Sequence, residues 1–123
     1  IELAERIVGS GALLSELHPN TPPRGPQLMA RDRIVSGLSR AVIVVEAGEK
    51  SGSLDTAERA KKQGRAVYAV PGSPGAERLL AGGARRLDPA ALDFDRLAEE
   101  LAALDDGVLN PGGGSKPVQA ALF

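Results

Sequence analysis

The sequence contains no cysteine, no tryptophan and a single histidine, His18. The lack of cysteine excludes a disulfide framework, a thiolate metal site and a cysteine nucleophile. One histidine argues against a zinc enzyme and a serine–histidine triad, and we expect His18 to be exposed in its proline-rich segment. Aromatic residues make up only 2% of the chain, which argues against a surface that stacks on single-stranded bases. We therefore expect neither a metal nor a cofactor.

Long apolar runs and targeting segments are also missing. No stretch approaches the roughly 18 apolar residues that a membrane span requires, and no signal peptide or amphipathic transit segment is visible. We therefore expect a cytoplasmic protein without a membrane partner. The chain of 123 residues starts at Ile1, inside an apparent helix, so we expect a piece of a longer protein.

The apolar residues, 42% of the chain, are enough for one core and fall into short runs. Residues 41–45 and 66–70 are continuously apolar and rich in β-branched side chains, which predicts parallel strands buried on both faces. Shorter strands are predicted at 12–16 and 84–87. The predicted helices are 2–9, 30–39, 53–64, 77–82 and 89–104. This alternation favours an α/β fold with a Rossmann-like parallel sheet in a three-layer arrangement.

The pattern fades after residue 106. We therefore expect residues 1–106 to form a Rossmann-like domain that lacks its first strand. Residues 107–123 are rich in glycine and proline and are predicted to be a linker or tail toward a possible C-terminal domain. Within the domain, Ile34, Val35 and Leu38 are predicted to face inward from their helix.

The net charge of −1 conceals a segregation along the chain. Residues 18–65 carry nine cations against five acids, a net charge of +4. Residues 88–106 carry seven acids against Arg96, a net charge of −6. The basic middle fits a phosphate-bearing ligand, although solvated helix faces also explain such a distribution.

The segment Lys50-Ser51-Gly52-Ser53 follows a predicted strand and directly precedes a helix. In a parallel sheet this position lies at the carboxyl edge, where ligands bind. Two hydroxyls, a glycine and a helix N-terminus together favour a phosphate cradle, to which Lys50 adds a charge. The alternative is that Ser53 only caps the helix and Gly52 only makes a turn. Neither a Walker A motif nor GxGxxG is present, so a phosphate group is favoured over a nucleoside triphosphate.

Two arginines, Arg31 and Arg33, flank Asp32 on a predicted helix. Residues two apart on a helix point in different directions, so the arginines need not share one role. One interpretation takes an arginine to the phosphate edge, and the other leaves both in surface ion pairs with Asp32, Glu46 or Glu49. Glu46 itself is interpreted as an anchor for an arginine or for loop N–H groups, with a general base as the alternative.

Several ordered motifs resemble the DNA-processing protein A family, known as DprA or Smf. They are GALLSE at 11–16, RDRIVSGLS at 31–39, VVEA at 44–47, SGSLDTA at 51–57 and VPGS at 70–73. The resemblance covers about residues 3–87. The sequence departs from the family pattern at Leu28-Met29, where Phe-Pro is usual, and at Asp32, where Asn is usual.

The resemblance implies an extended Rossmann domain that binds single-stranded DNA through its phosphates and is not an enzyme. It implies a homodimeric recombination mediator that protects incoming DNA during natural transformation and loads the recombinase RecA onto it. The DNA-binding residues that it implies are Arg31, Arg33, Lys50, Ser51, Gly52 and Ser53. The leucine stripe of helix 89–104 is then available either for packing on the sheet or for the homodimer.

Two other functions stay open from the sequence. The first is a Rossmann enzyme that hydrolyses the N-glycosidic bond of nucleoside monophosphates and carries a PGGxGTxxE motif. The only PGG here is Pro111-Gly112-Gly113, and it lacks the threonine and the glutamate. The second is a nucleotide-sensing or scaffold domain.

Overall fold

A computed structural model describes residues 1–104. Its helices are α1 (Glu2–Val8), α2 (Gly25–Leu38), α3 (Gly52–Lys62), α4 (Pro74–Ala81) and α5 (Phe94–Ala103), with a 3-10 turn at Pro89–Ala91. Its strands are β1 (Ala41–Val44), β2 (Ala66–Ala69) and β3 (Arg85–Arg86), which form a parallel sheet in the order β1-β2-β3. The predicted α/β fold is confirmed, whereas the predicted tail lies outside the described residues and the domain boundary stays a prediction.

The core lies between the sheet and α3. Val42 and Val44 of β1 and Val67 of β2 contact it from the sheet, and Leu54 and Ala57 contact it from α3. Side chains alternate across a strand, so Tyr68 faces the other side, where its hydroxyl meets Glu100 of α5. Five of the eight buried apolar residues in the described chain are alanines, namely Ala47, Ala57, Ala60, Ala69 and Ala76. Such small side chains bring the helices close to the sheet.

Helix α2 packs on α3 through polar side chains. The fully buried Ser36 hydroxyl lies 2.6 Å from Gln63 Oε1, and Gln63 Nε2 donates to the Arg33 carbonyl at 2.8 Å. The guanidinium of Arg65 donates to the Gly37 carbonyl at 2.5 Å. These contacts join the C-terminal ends of both helices, so α2 and α3 run in the same direction and both begin at the carboxyl edge of the sheet.

Three packing predictions are wrong. Residues 12–16 form no strand, because no neighbouring strand within residues 1–104 pairs with them. Val35 and Leu38 are 49% and 66% exposed, since α2 turns its small polar residues toward α3 instead. The strand predicted at 41–45 is buried on one face only, and Ile43 is 40% exposed on the other. Ile34 is half-buried.

The helix starts also differ from the predictions. Helices α2 and α4 begin five and three residues earlier than predicted, and each has a proline in its first turn. Proline is tolerated there because the first N–H groups of a helix have no intrahelical acceptor. The predicted helix 89–104 is divided, because Asp93 accepts from the Arg96 N–H and starts α5 anew. No helix in residues 1–104 has the length and hydrophobicity needed to cross a bilayer.

Helix α5 is joined to the sheet by a polar cluster around Tyr68. Glu100 accepts from the Tyr68 hydroxyl and from the Arg85 guanidinium, both at 2.8 Å, and Arg85 lies 5.5 Å above the Tyr68 ring. Leu97 and Leu101 of α5 are half-buried, while Phe94 is 74% exposed. The polar cluster therefore fixes the position of a helix whose apolar stripe is only partly covered.

The cluster predicts an alkaline loss of stability. Burial and then the hydrogen bond to Glu100 raise the pKa of Tyr68 above its ordinary value of 10.0, with Arg85 opposing the shift. Because the unfolded chain releases this proton first, the free energy of unfolding should fall as the pH rises beyond about 10. Tyr68 is the only tyrosine, so phenolate absorbance should report a midpoint above that of the denatured chain. Equal midpoints in the two states would contradict the buried cluster, and Tyr68→Phe should remove this part of the pH dependence.

Candidate nucleic-acid interface

The N-terminus of α3 is capped by Ser51. Its hydroxyl accepts from the Ser53 N–H at 3.2 Å, and the Ser51 N–H donates to the Gly48 carbonyl at 3.3 Å. The helix therefore begins at Gly52, two residues after Lys50, and the interpretation of Ser53 as the cap is wrong. The cap satisfies one of the four N–H groups that a helix leaves without an intrahelical acceptor.

Gly52 leaves the start of α3 open. A Cβ atom built at this position would meet nothing within 4 Å, and the residue is exposed. No hydrogen bond within residues 1–104 uses the Gly52 N–H. The packing of the described chain therefore does not require glycine here, and the Gly52 N–H has no described partner at the positive end of the helix dipole.

Lys50 adds a charge beside this donor. Its side chain is exposed, and no ion pair with an acid of residues 1–104 engages it. Glu46, four residues earlier, is exposed and likewise makes no described ion pair, so neither interpretation of Glu46 gains support. A free ammonium group and an unpaired N–H at a helix N-terminus together attract an anion.

The turn that follows β2 holds the preceding loop in place. The Ala47 N–H donates to Ser73 Oγ at 3.1 Å, and the Gly75 N–H donates to the Ala47 carbonyl at 2.8 Å. A Cβ atom at Gly75 would lie 2.7 Å from the Gly48 carbonyl oxygen, so glycine is required by close approach. The turn at 71–75 therefore holds the loop that leads to Lys50 and Ser51.

The Arg31 side chain is exposed to a ligand, whereas the neighbouring Asp32 carboxylate is largely buried. The Arg31 side chain is 61% exposed, and its Nη2 lies 3.5 Å from Asp32 Oδ1. The Asp32 carboxylate is only 12% exposed, because Asp32 faces α3 with Ser36. The departure from the family pattern at Asp32 therefore places a buried acid under Arg31 rather than a free acid on the surface.

Arg33 is in a different situation. Its guanidinium pairs with Glu16, a residue that the sequence did not single out. Glu16 is 17 positions away and belongs to the segment predicted as a strand. The ion pair joins this segment to α2, and Arg33 can meet a ligand only by sharing or leaving Glu16.

Arg31 and the segment 50–53 lie on the same side of the sheet but at different positions along the helix axes. Helices rise 1.5 Å per residue, so Arg31 lies about 8 Å along α2 from Ser36. Ser51 lies about 18 Å along α3 from Gln63, which contacts Ser36. The two groups are thus separated by about 10 Å along the helix axes, and they fit two different phosphates of one strand better than a single phosphate.

Other candidate chemistry is sparse in the described chain. Within residues 1–104 no three His, Cys, Asp or Glu side chains form a group that fits a metal ion. His18 is exposed as expected, and its Nδ1 accepts from the Asn20 N–H at 3.3 Å. The Pro111-Gly112-Gly113 motif lies outside the described residues.

Comparison with known proteins shows which protein family this chain matches. The family described as DNA recombination-mediator protein A matches residues 1–101. The DNA processing protein DprA of Bacillus subtilis (strain 168) is 44% identical over 105 residues, which are 80% of this chain and 35% of that protein. Protein Smf of Escherichia coli (strain K12) is 51% identical over 77 residues, which are 60% of this chain and 21% of that protein.

A solved structure agrees with these sequences. The X-ray structure of DNA processing protein A (DprA) from Streptococcus pneumoniae matches with a TM-score of 0.57 and 41% identity, over 65% of this chain and 32% of that chain. The chain therefore spans about a third or less of the length of these relatives. The resemblance drawn from the sequence motifs is confirmed: the chain belongs to the DNA recombination-mediator protein A family.

Proposed function

We propose that the chain binds single-stranded DNA through backbone phosphates at the carboxyl edge of its sheet. The observation that carries this proposal is the open N-terminus of α3, where the Gly52 N–H has no partner within residues 1–104 and the exposed Lys50 lies two residues earlier in the chain. Ser51 and Ser53 complete one phosphate site, and Arg31 supplies a second. Arg33 joins when it is released from Glu16.

The wider role follows from the family. As a recombination mediator without catalytic activity, the protein protects incoming single strands in the cytoplasm during natural transformation and loads RecA onto them. It acts as a homodimer. Membership of the recombination-mediator family supports this role.

The chemistry of the site determines how the DNA is recognised. With two phenylalanines, one tyrosine and no tryptophan, the chain has little to stack on bases. Binding through phosphates gives affinity that falls steeply with salt and depends little on sequence. The protein should therefore accept any single strand.

The test compares three single variants in a binding titration with oligo-dT at several salt concentrations. Lys50→Ala and Arg31→Ala should each weaken binding several-fold and reduce the slope of log affinity against log salt by about 0.7, the value for one lost phosphate contact. Lys62→Ala is the matched control, because Lys62 is exposed at the far end of α3. Unchanged slopes for Lys50→Ala and Arg31→Ala, or an equal loss for Lys62→Ala, would remove the proposed site.

A further inference from the structure

A second groove lies at the opposite edge of the sheet, where Lys61 is about 14 Å along α3 from Gly52. It is formed between α3 and α4, where β2 and β3 begin, and has a volume of about 330 Å³. This size is at the lower end of the range for small-molecule sites in proteins. None of the residues proposed to bind DNA lines it.

The charges around this groove are mainly positive. Four cations and a single acid line it, and the cations are Lys61, Arg65, Arg78 and Arg85. The acid, Glu58, lies 3.6 Å from Arg78 and neutralises part of this charge. Arg85 has Glu100 as its partner, so Lys61 and Arg65 are the cations with no described acid.

Arg65 is a buried cation with an unused donor. The residue is only 9% exposed, and its guanidinium donates to the Gly37 carbonyl. Its Nε has no hydrogen-bond acceptor in the described structure. Because this Nε is itself buried, a ligand does not reach it, but the positive charge of Arg65, which has no described acidic partner, favours an anion in the groove.

Lys61 connects the two walls of the groove. Its Nζ donates to the Gly82 carbonyl at 2.7 Å, which uses one of its three hydrogens and leaves two for a ligand. Gly82 is followed by Gly83, whose φ of 95° only glycine adopts readily. A Cβ atom at Gly83 would meet nothing within 4 Å, so this side of the groove is open.

The remaining lining is apolar. Ala57, Val67 and Leu79 contribute to it, and they offer a surface for an uncharged ring or alkyl group. We propose that this groove binds a small phosphorylated ligand of nucleoside monophosphate size, whose phosphate contacts Lys61 and Arg78 near the buried charge of Arg65 and whose ring packs on Val67 and Leu79. This site is separate from the proposed DNA site and does not depend on it.

The proposal is tested by calorimetric titration of the purified protein with AMP, adenosine and inorganic phosphate. AMP should bind at least about tenfold more tightly than either of its parts, because only AMP uses both the cations and the apolar surface. The double variant K61Q/R78Q should weaken AMP binding by about tenfold or more. K62Q, an exposed neighbour that does not line the groove, should change the affinity by less than about twofold.

A competition experiment separates the two edges. Saturating AMP should leave oligo-dT bound, and Lys50→Ala should leave AMP binding unchanged. The proposal is overturned if AMP does not bind at millimolar concentration, if K61Q/R78Q binds AMP as the wild type does, or if AMP displaces oligo-dT. A thermal melt of K61Q/R78Q shows whether that variant is folded, and R78Q alone is the second variant if it is not.

Discussion

Replacing Gly75 by alanine should lower the free energy of unfolding by about 1–3 kcal/mol and should weaken DNA binding in the same variant. The added Cβ would lie 2.7 Å from the Gly48 carbonyl oxygen and 2.8 Å from Ala47 Cβ. The first of these atoms belongs to the backbone, so either α4 or the loop before α3 must move. A displaced loop misplaces Lys50 and the Gly52 N–H, and the stability effect and the binding effect therefore have one cause.

The control for this prediction is Gly25→Ala. A Cβ atom at Gly25, the first residue of α2, would meet nothing within 4 Å, so this replacement adds the same atoms without a collision. Urea unfolding and oligo-dT titration of both variants provide the measurements. If Gly75→Ala is as stable as Gly25→Ala, the close approach of α4 to the loop is not a constraint.

The second large effect is expected for Leu54→Ala. Leu54 lies in the first turn of α3 and is 6% exposed. It packs with Val44 of β1 and with Ala57 of α3. Truncation of a buried leucine costs about 2–5 kcal/mol. Domains of this kind have about 5–15 kcal/mol of stability in total, so this variant should lose a large share of it.

Leu38→Ala is the matched substitution for this experiment. It makes the same chemical change in a helix, but Leu38 is 66% exposed, so the change should stay within about 0.5 kcal/mol. Urea unfolding with a common slope gives both values. Equal losses in the two variants would mean that the core does not centre on α3.

The strands were predictable because their signal is local. Residues 41–45 and 66–70 consist of apolar, mainly β-branched side chains. A short run of this composition between predicted helices indicates a buried strand. Residues 12–16 contain three apolar residues but no β-branched one, and a strand also needs a hydrogen-bonding neighbour, which no single segment encodes. The inner face of α2 was missed for a related reason. The buried Ser36 hydroxyl donates a hydrogen bond to Gln63 Oε1, and Gln63 is 27 positions away in the chain.

The candidate site was predictable in its residues but not in its connections. The motif at 51–53 indicated a helix start, and only the geometry distinguishes Ser51 from Ser53 as its cap. Periodicity also could not show that Glu16 takes Arg33 while Arg31 stays exposed, because that ion pair joins segments with no shared pattern. The net charge of a segment does not show which of its arginines forms an ion pair with an acid elsewhere in the chain.

The alanines of the core have a consequence for how this chain tolerates genetic change. Ala57, Ala60, Ala69 and Ala76 are at most 1% exposed, and nearly every replacement of an alanine adds atoms. In a core built from leucine and phenylalanine, random substitution mostly creates cavities. In this chain it mostly creates collisions, which neighbouring side chains cannot relieve by collapsing. At these four positions only glycine adds no atoms, so we expect larger replacements to be tolerated only where α3, α4 or the sheet can shift.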